Sequence, residues 1–337
     1  MPRKIRRLVL WLVVSGILAV TAAAGALHHF AQAPLHLESP PRSFELKPGS
    51  SLRSVGRQLV DAGILTEPWR FVLIARALGK EGAIKAGSYE IARAVTPLEL
   101  LDKITSGDVV QEQITFVEGW TLGQWRQTLN EHGKLRHDSL SLTDRELLDR
   151  VGADSYSSGE GLFFPDTYRF NRGASDLDVL RQAHQTMRNQ IERLWNEREQ
   201  DLPFKSPYEA LILASIVEKE TGVGADRPLI AAVFVNRLRR GMKLQTDPTV
   251  IYGMGANFDG NLRKADLQRD TPYNTYTREG LPPTPIAMPS LASLSATLNP
   301  PKSEALYFVA RGDGTSQFST TLEQHNRAVN RYQRGGR

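Results

Sequence analysis

The chain has 337 residues, 40% hydrophobic and 23% charged, which is the composition of folded domains rather than of a disordered chain. The net charge is +5, but four cations lie within the first seven residues, so the remainder is close to neutral and nucleic-acid binding is not expected. The absence of cysteine excludes disulfides, thiolate metal sites and a cysteine nucleophile, and the seven histidines lack the HExxH spacing, so neither a metal nor a cofactor is predicted.

The N-terminus predicts a membrane anchor. A basic tail at 1–7 precedes twenty uncharged residues at 8–27, which as a helix would span a bilayer core of roughly 30 Å. The basic flank should stay cytoplasmic, which places the rest of the chain on the far side of a membrane that it crosses once. For a bacterial protein these are the periplasm and the inner membrane. A cleaved signal peptide is the alternative, since 22–24 and 31–33 carry small residues. Residues 28–42, with several prolines, predict an extended tether.

Residues 43–110 predict a small mixed α/β module. Turn residues and apolar spacing indicate strands at 43–46 and 85–91 and helices at 51–62, 67–78 and 96–105. The module contains no obvious acid–base pair. Whether it is a spacer or binds a polymer and orients the next domain is left open by its residues.

Residues 111–337 predict a second, larger domain. The expected helices are 121–129, 140–151, 177–199, 207–220, 229–240 and 291–298, and the expected strands are 112–117, 305–310 and 317–319, the last two paired. Pro165 should fix a bend rather than lie in a central strand. Four prolines in 282–289 predict an ordered, non-helical wall. The fold class expected for the whole chain is α+β.

The helix at 207–220 carries the most informative side chain. Ser206 and Pro207 supply a start signal, Thr221 and Gly222 a stop, and 211–217 is apolar apart from one serine. A helix that is apolar on every side is normally buried. Glu218 ends this run, and its desolvation by small and apolar neighbours would favour the protonated form that a proton donor needs. A solvated surface glutamate is the alternative interpretation.

The stretch 244–253 mixes polar groups with β-branched and aromatic residues. Such a mixture suits a cleft that recognises hydroxyls and amides, because buried polar groups need partners. His325 could assist catalysis, although a surface histidine is the simpler interpretation.

These strings resemble the endolytic murein transglycosylase family, also described as YceG-like. The residues that carry the resemblance occur in the family's order and are Lys85–Tyr89, Glu160-Gly161, Phe164–Tyr168, Ala214–Thr221, Val235–Leu238, Leu244–Gly255, Tyr273–Tyr276, Gly280–Pro283 and Tyr307–Ala310. They cover most of residues 45–330, and none of them is a short generic motif.

The resemblance implies cleavage of the β-1,4 bond between N-acetylmuramic acid and N-acetylglucosamine in nascent peptidoglycan, with a 1,6-anhydromuramoyl end that could stop strand elongation. It implies a LysM-like module at 43–110 and partnership with peptidoglycan synthases. The family's catalytic glutamate falls on Glu218, while Glu220, about 200° round the helix, is expected to have a structural pairing role. Candidates for binding glycan amides and hydroxyls are Gln245, Thr246, Asp247, Tyr252 and Asn274, each of which could equally stabilise a loop.

Three alternatives remain open from the sequence. The first is a non-catalytic, membrane-anchored glycan-binding or scaffold protein. The second is a muramidase-type hydrolase, which would use a second carboxylate as nucleophile or to activate water. The third is a membrane-linked regulator whose partners matter more than its chemistry.

Overall fold

The computed structural model describes residues 3–37, 40–220 and 224–335. The chain divides into two compact units, one comprising Met1–Glu112 with Arg169–Arg172 and the other Gln113–Tyr168 with Gly173–Arg337. Among the described residues, most regular elements are helices, and the strands form two-stranded sheets. The mixed α+β class predicted from the sequence is therefore confirmed.

The first unit begins with a long apolar helix, α1 (Arg3–Gln32). Its segment Leu10–Gln32 contains an 18-residue window with a mean hydropathy of 2.1, none of which is buried by the rest of the chain. Trp11 near its start is 70% exposed. By length and composition this helix could cross a membrane, as the sequence predicted.

The predicted extended tether at 28–42 is wrong over its first part. Helix α1 continues through Gln32, and Ala31 and Leu35 are buried in the core of the small module that follows. Leu27 and Phe30 pack against the same core. The physical reason is that residues 28–32 contain no proline to end the helix, and burial of Ala31 stabilises the helix against the module.

The small module of the first unit contains the five elements predicted for it. They are β1 (Arg42–Leu46), α2 (Leu52–Asp61), α3 (Pro68–Ala77), β2 (Gly87–Ile91) and α4 (Pro97–Ser106). The strands pair antiparallel with Phe44 opposite Tyr89, whose rings stack at 5.4 Å. Thr96 caps α4 in a reciprocal arrangement with Glu99, which explains why its start could be predicted.

The second unit is built mainly of helices. In chain order its elements are β3 (Gln111–Thr115), α5 (Leu122–Glu131), α6 (Asp144–Val151), β4 (Thr167–Asn171), α7 (Asp176–Asn196), α8 (Pro207–Glu220), α9 (Arg227–Arg239), α10 (Asp247–Met254), a 3-10 turn (Gly255–Asn257), α11 (Lys264–Gln268), α12 (Leu291–Leu298), β5 (Tyr307–Ala310), β6 (Ser316–Ser319) and α13 (Leu322–Tyr332). Strand β3 pairs with β4, and both extend by a few residues beyond this unit's bounds.

Helix α8 forms the centre of the second unit. Helices α7, α9, α10 and α12 all pack against it. Its residues Ala210–Val217 are buried without exception, which matches a sequence that is apolar on every face. The side chain that follows this buried run, Glu218, is therefore carried by a helix that other elements of the unit surround.

Two elements differ from the sequence predictions. Bends lie at Phe163 and Asp166, on either side of Pro165, and strand β4, which was not expected, begins at Thr167. The polar stretch at 244–253 contains helix α10, opened by Asp247 and by Pro248 at its first turn. The predicted pairing of the last two strands is confirmed, with Phe308 opposite Phe318.

Candidate active site

Helix α8 starts where the sequence predicted. The Ser206 hydroxyl accepts a hydrogen bond from the Glu209 amide at 3.3 Å, which is the interaction of an N-cap. The Glu209 carboxylate accepts from the Lys205 amide at 2.6 Å, one residue earlier than in a reciprocal capping box. The predicted stop at Thr221-Gly222 lies outside the described residues.

The Glu218 carboxyl is held by donors from two other elements. Its Oε2 accepts hydrogen bonds from the Ser290 amide at 2.9 Å and from the Ser290 hydroxyl at 2.5 Å. The Nη2 atom of Arg227, the first residue of α9, lies 3.8 Å from Oε1. The side chain is only 8% exposed. The carboxyl is thus shielded from solvent, accepts two hydrogen bonds and lies beside a cation.

The segment that carries Ser290 is fastened to the same helix. The Ser215 hydroxyl donates to the Ile212 carbonyl at 2.7 Å and accepts from the Ile286 amide at 3.0 Å. Ser290 also caps α12, since its hydroxyl oxygen accepts from the Ser293 amide. The Pro-rich wall predicted from the sequence is non-helical, and it ends directly before Ser290, the residue that contacts Glu218.

A second buried carboxyl, Glu160, joins α5 to α10. It is 4% exposed, and it accepts from the Leu122 amide at 3.0 Å and from the Tyr252 hydroxyl at 3.1 Å. Burial raises the pKa of Glu160 to about 7, although both hydrogen bonds oppose this shift. Tyr252, predicted to contact glycan, thus has its hydroxyl engaged inside the protein.

We expect Glu160→Gln to remove a pH dependence of stability. A carboxyl whose pKa rises from 4.5 to about 7 on folding stabilises the fold fully below pH 4.5, and this contribution is lost as the pH rises to about 7. The free energy of unfolding of the wild type should therefore fall relative to that of the variant by on the order of 3 kcal/mol between pH 4.5 and 8. Urea unfolding of both proteins across this range measures the difference, and parallel curves would contradict the assignment.

Three of the predicted contact residues lie around Glu220, not around Glu218. The Thr246 hydroxyl donates to the Glu220 carboxyl, and the Tyr276 hydroxyl donates to Asp247 Oδ1 at 2.5 Å. Gln245, which has a positive φ of 52°, lies in the same group of residues. A pocket of about 590 Å³ opens here, lined among others by Glu220, Arg237, Gln245, Asp247, Tyr276 and His325. Burial raises the pKa of Glu220, whose bond to Thr246 agrees with the structural pairing expected of it.

Asn274 is held by helix α11 and by its own loop. Its amide nitrogen donates to the carbonyls of Asp266, Leu267 and Arg269, and its oxygen accepts from the Tyr276 amide at 2.8 Å. The side chain is buried. These hydrogen bonds favour the loop-stabilising alternative for Asn274, and its contact with glycan stays a prediction.

Sequence reasoning did not single out several residues near Glu218. Ser290 lies 72 residues after Glu218, and Arg227 is the first residue of the next helix. Neither belongs to a motif for acid–base chemistry. The one available signal was that Ser290 precedes a short predicted helix, as an N-cap does. In the parts of the chain that the structure describes, no cluster of three His, Asp or Glu side chains is arranged to hold a metal ion.

The fold and this site define a mixed α+β protein with a membrane-length N-terminal helix and a part-buried carboxyl flanked by a serine and an arginine. Residues 44–331 match the model of the YceG-like family. Since that match covers most of the chain, the protein belongs to the YceG-like family.

Individual relatives agree with this assignment. The chain is 33% identical over 301 residues to the endolytic murein transglycosylase of Bacillus subtilis, covering 84% of this chain and 82% of that protein. It is 29% identical to the endolytic murein transglycosylase of Streptococcus pneumoniae, of which it spans 56%. A 2.6 Å crystal structure of a YceG-like protein from Listeria monocytogenes matches with a TM-score of 0.51 and 28% identity, covering 85% of this chain and 97% of that one.

Proposed function

We propose that this chain is a lytic transglycosylase of peptidoglycan. It cleaves the β-1,4 bond between N-acetylmuramic acid and N-acetylglucosamine within glycan strands and leaves a 1,6-anhydromuramoyl end. The relatives named endolytic murein transglycosylase support the reaction class. The observation that carries the proposal in this chain is the Glu218 carboxyl, 8% exposed and held by Ser290 and Arg227 at the end of the central helix.

The reaction needs a group that gives and then takes a proton. Protonated Glu218 donates its proton to the glycosidic oxygen as the bond from C1 to that oxygen breaks. The muramoyl C6 oxygen then attacks C1, and its hydroxyl proton passes to the Glu218 carboxylate. Glu218 is then protonated again, as at the start of the reaction, and no water enters the product.

The surroundings of Glu218 suit this cycle. The two Ser290 donors and the Arg227 cation support the carboxylate that exists between the two proton transfers. The Ser215 contact to Ile286 keeps that segment against the helix. The substrate's own N-acetyl group supplies part of the stabilisation of the cationic sugar.

The remaining parts of the proposal concern place and partners. Residues 1–7 lie in the cytoplasm, 8–27 lie within the span that anchors the chain in the inner membrane, and the rest is periplasmic. Residues 43–110 form a LysM-like module that binds glycan, and 111–337 form the catalytic domain. Cleavage close to the membrane terminates newly made strands, beside the peptidoglycan synthases that produce them.

Product analysis on nascent, uncrosslinked glycan strands tests the reaction. We expect the full chain in detergent to release internal fragments with anhydro ends, whose mass lacks the water that hydrolysis adds. Fragments heavier by one water would instead identify a muramidase-type hydrolase. Binding to the strands without any cleavage would favour the non-catalytic glycan-binding protein.

A further inference from the structure

The small module follows the membrane-length helix α1 without a spacer. The uncharged run at 8–27 matches, as a helix, the roughly 30 Å core of a bilayer. Leu27 at the end of this run, and Phe30 three residues later, already pack against the core of the module. At a rise of 1.5 Å per residue, Phe30 lies about 5 Å beyond the apolar run, which is within the headgroup layer. The module therefore lies directly on the surface of the membrane that α1 spans.

Helix α3 is the element of the module that connects this layer with an exposed apolar surface. The Arg70 guanidinium lies 5.6 Å from the centre of the Phe30 ring and 5.2 Å from the centre of the Trp69 ring. The Trp69 side chain is 53% exposed, and Leu73, one helical turn later, is 44% exposed. Exposed tryptophan and leucine side chains beside the end of a membrane helix are typical of groups that lie at the membrane interface.

Arginines surround these two apolar side chains. Trp69 and Leu73 line an open cavity of about 330 Å³ together with Arg53 and Arg57 of α2 and Arg76 of α3. Arg53 and Arg57 are exposed, and neither forms an ion pair with a carboxylate in the described part of the chain. Guanidinium groups are suited to phosphate oxygens, because each offers several donors in one plane. The cavity thus combines an apolar floor with cations that lack a partner.

Two carboxylates lie near this surface and do not neutralise it. Glu67 accepts a hydrogen bond from Trp69 Nε1 at 2.5 Å and lies 3.7 Å from Arg70 Nε. Glu81 lies 3.4 Å from Arg76 Nε. The side chains of both ion pairs are about half exposed, so these pairs are weak. The charges of Arg53 and Arg57 therefore remain in excess.

We propose that this arginine–tryptophan surface binds the phosphodiester headgroups of anionic phospholipids, in the leaflet through which α1 leaves the membrane. The guanidinium groups of Arg53, Arg57 and Arg76 contact the phosphates, while Trp69 and Leu73 enter the interface beside them. This inference rests on the membrane anchor of the proposed function and deepens it. A single helix leaves the module free to tilt, and a second contact with the bilayer restrains that tilt.

A dye at position 73 tests this contact in the full chain. The sequence has no cysteine, so Leu73→Cys accepts a single environment-sensitive nitrobenzoxadiazole label. After reconstitution into phosphatidylcholine vesicles that contain phosphatidylglycerol, we expect the dye to be shielded from acrylamide and quenched by nitroxide-labelled lipids. In phosphatidylcholine alone it should stay open to acrylamide. Ala86→Cys, labelled at an exposed position of the same module outside the cavity, should stay open in both.

Removal of the arginines tests the electrostatic part. Each arginine near an anionic membrane surface contributes about fivefold to binding. Arg53→Gln and Arg57→Gln should therefore each lower the ratio of shielded to open label by about fivefold. Arg93→Gln, on an exposed arginine of the same module outside the cavity, should leave the ratio unchanged. Raising the salt from 0.1 M to 1 M shortens the screening distance from about 10 Å to 3 Å and should open the label. Circular dichroism checks the folding of each variant.

The outcomes separate this surface from the anchor and from other occupants. Equal shielding with and without phosphatidylglycerol, or shielding that survives the removal of both arginines, overturns the inference. Shielding that appears only when glycan strands are added would identify a glycan surface instead. If the chain floats with the vesicles but the label at 73 is as open as that at 86, this inference alone fails. If the chain does not float with vesicles of either composition, the anchor fails and the inference fails with it.

Discussion

Glu218→Gln should lower kcat for glycan cleavage by about 10³-fold or more while leaving the fold intact. The amide keeps an oxygen that accepts from the Ser290 amide and hydroxyl, so the local packing is preserved. It removes the proton that must be given to the leaving oxygen and the carboxylate that must take one back. Loss of a general acid and base typically costs two to four orders of magnitude. Single-turnover rates on nascent strands, with circular dichroism as the folding check, measure this.

Glu220→Gln is the matched control, two residues further along the same helix. Its carboxyl accepts from Thr246 and its pKa is raised by burial, so an amide resembles the state that the site prefers. We expect activity within about threefold of the wild type, as for a substitution outside the reacting groups. Equal losses in both variants would mean that the effect at 218 is structural, and a fully active Glu218→Gln would remove the catalytic role altogether.

Local signals account for the parts of the fold that could be predicted. Caps at Ser51, Thr96, Thr121 and Ser206 mark helix starts because the interactions involved span only three or four residues. Helix α10 was missed although Pro248 stands at its first turn, since its polar and β-branched residues do not show a clear helical period. Local chemistry is thus sufficient for elements whose termini are capped, and insufficient for short ones without periodicity.

The site could be predicted only in part, because its contacts are distant along the chain. Glu218 was found from its own helix, yet its hydrogen bonds come from Ser290, 72 residues later. Tyr252 meets Glu160 across 92 residues, and neither has a local feature that indicates the other. Helical spacing predicts which residues of one element share a face, but it carries no information on which other element packs there.

The candidate contacts illustrate the same limit. Gln245 and Asp247 line a pocket with Glu220, on the side of α8 where Thr246 bonds to that carboxyl. They were predicted as glycan contacts from their residue types, which carry no information on which carboxyl they approach. The 200° turn between positions 218 and 220 separates the two carboxyls. The pocket is therefore considered separately from Glu218. Arg237 lines it and donates hydrogen bonds to two of the segments that form its wall.

Arg237→Ala should destabilise the second unit by about 3–5 kcal/mol. The guanidinium is buried, and it donates to the carbonyls of Leu306 and Leu244, each at 2.7 Å, while lying 5.2 Å from the Tyr307 ring centre. It joins helix α9 to the chain before β5 and to the loop before α10. Alanine would leave these buried carbonyls without donors, and each unsatisfied buried group costs about 1–3 kcal/mol. Urea unfolding at fixed pH measures the loss.

Two further variants decide whether this loss is due to the guanidinium's geometry. Arg237→Lys keeps the charge but not the planar fork, so it should recover only part of the stability. Arg239→Ala, on the same helix, removes an exposed side chain whose described contact is the Asp201 carbonyl at 3.1 Å, and it should change the unfolding free energy by less than about 0.5 kcal/mol. If the unfolding free energy of Arg237→Ala lies within about 1 kcal/mol of the wild-type value, the guanidinium does not hold the pocket wall. Its position would then be explained better by binding than by packing.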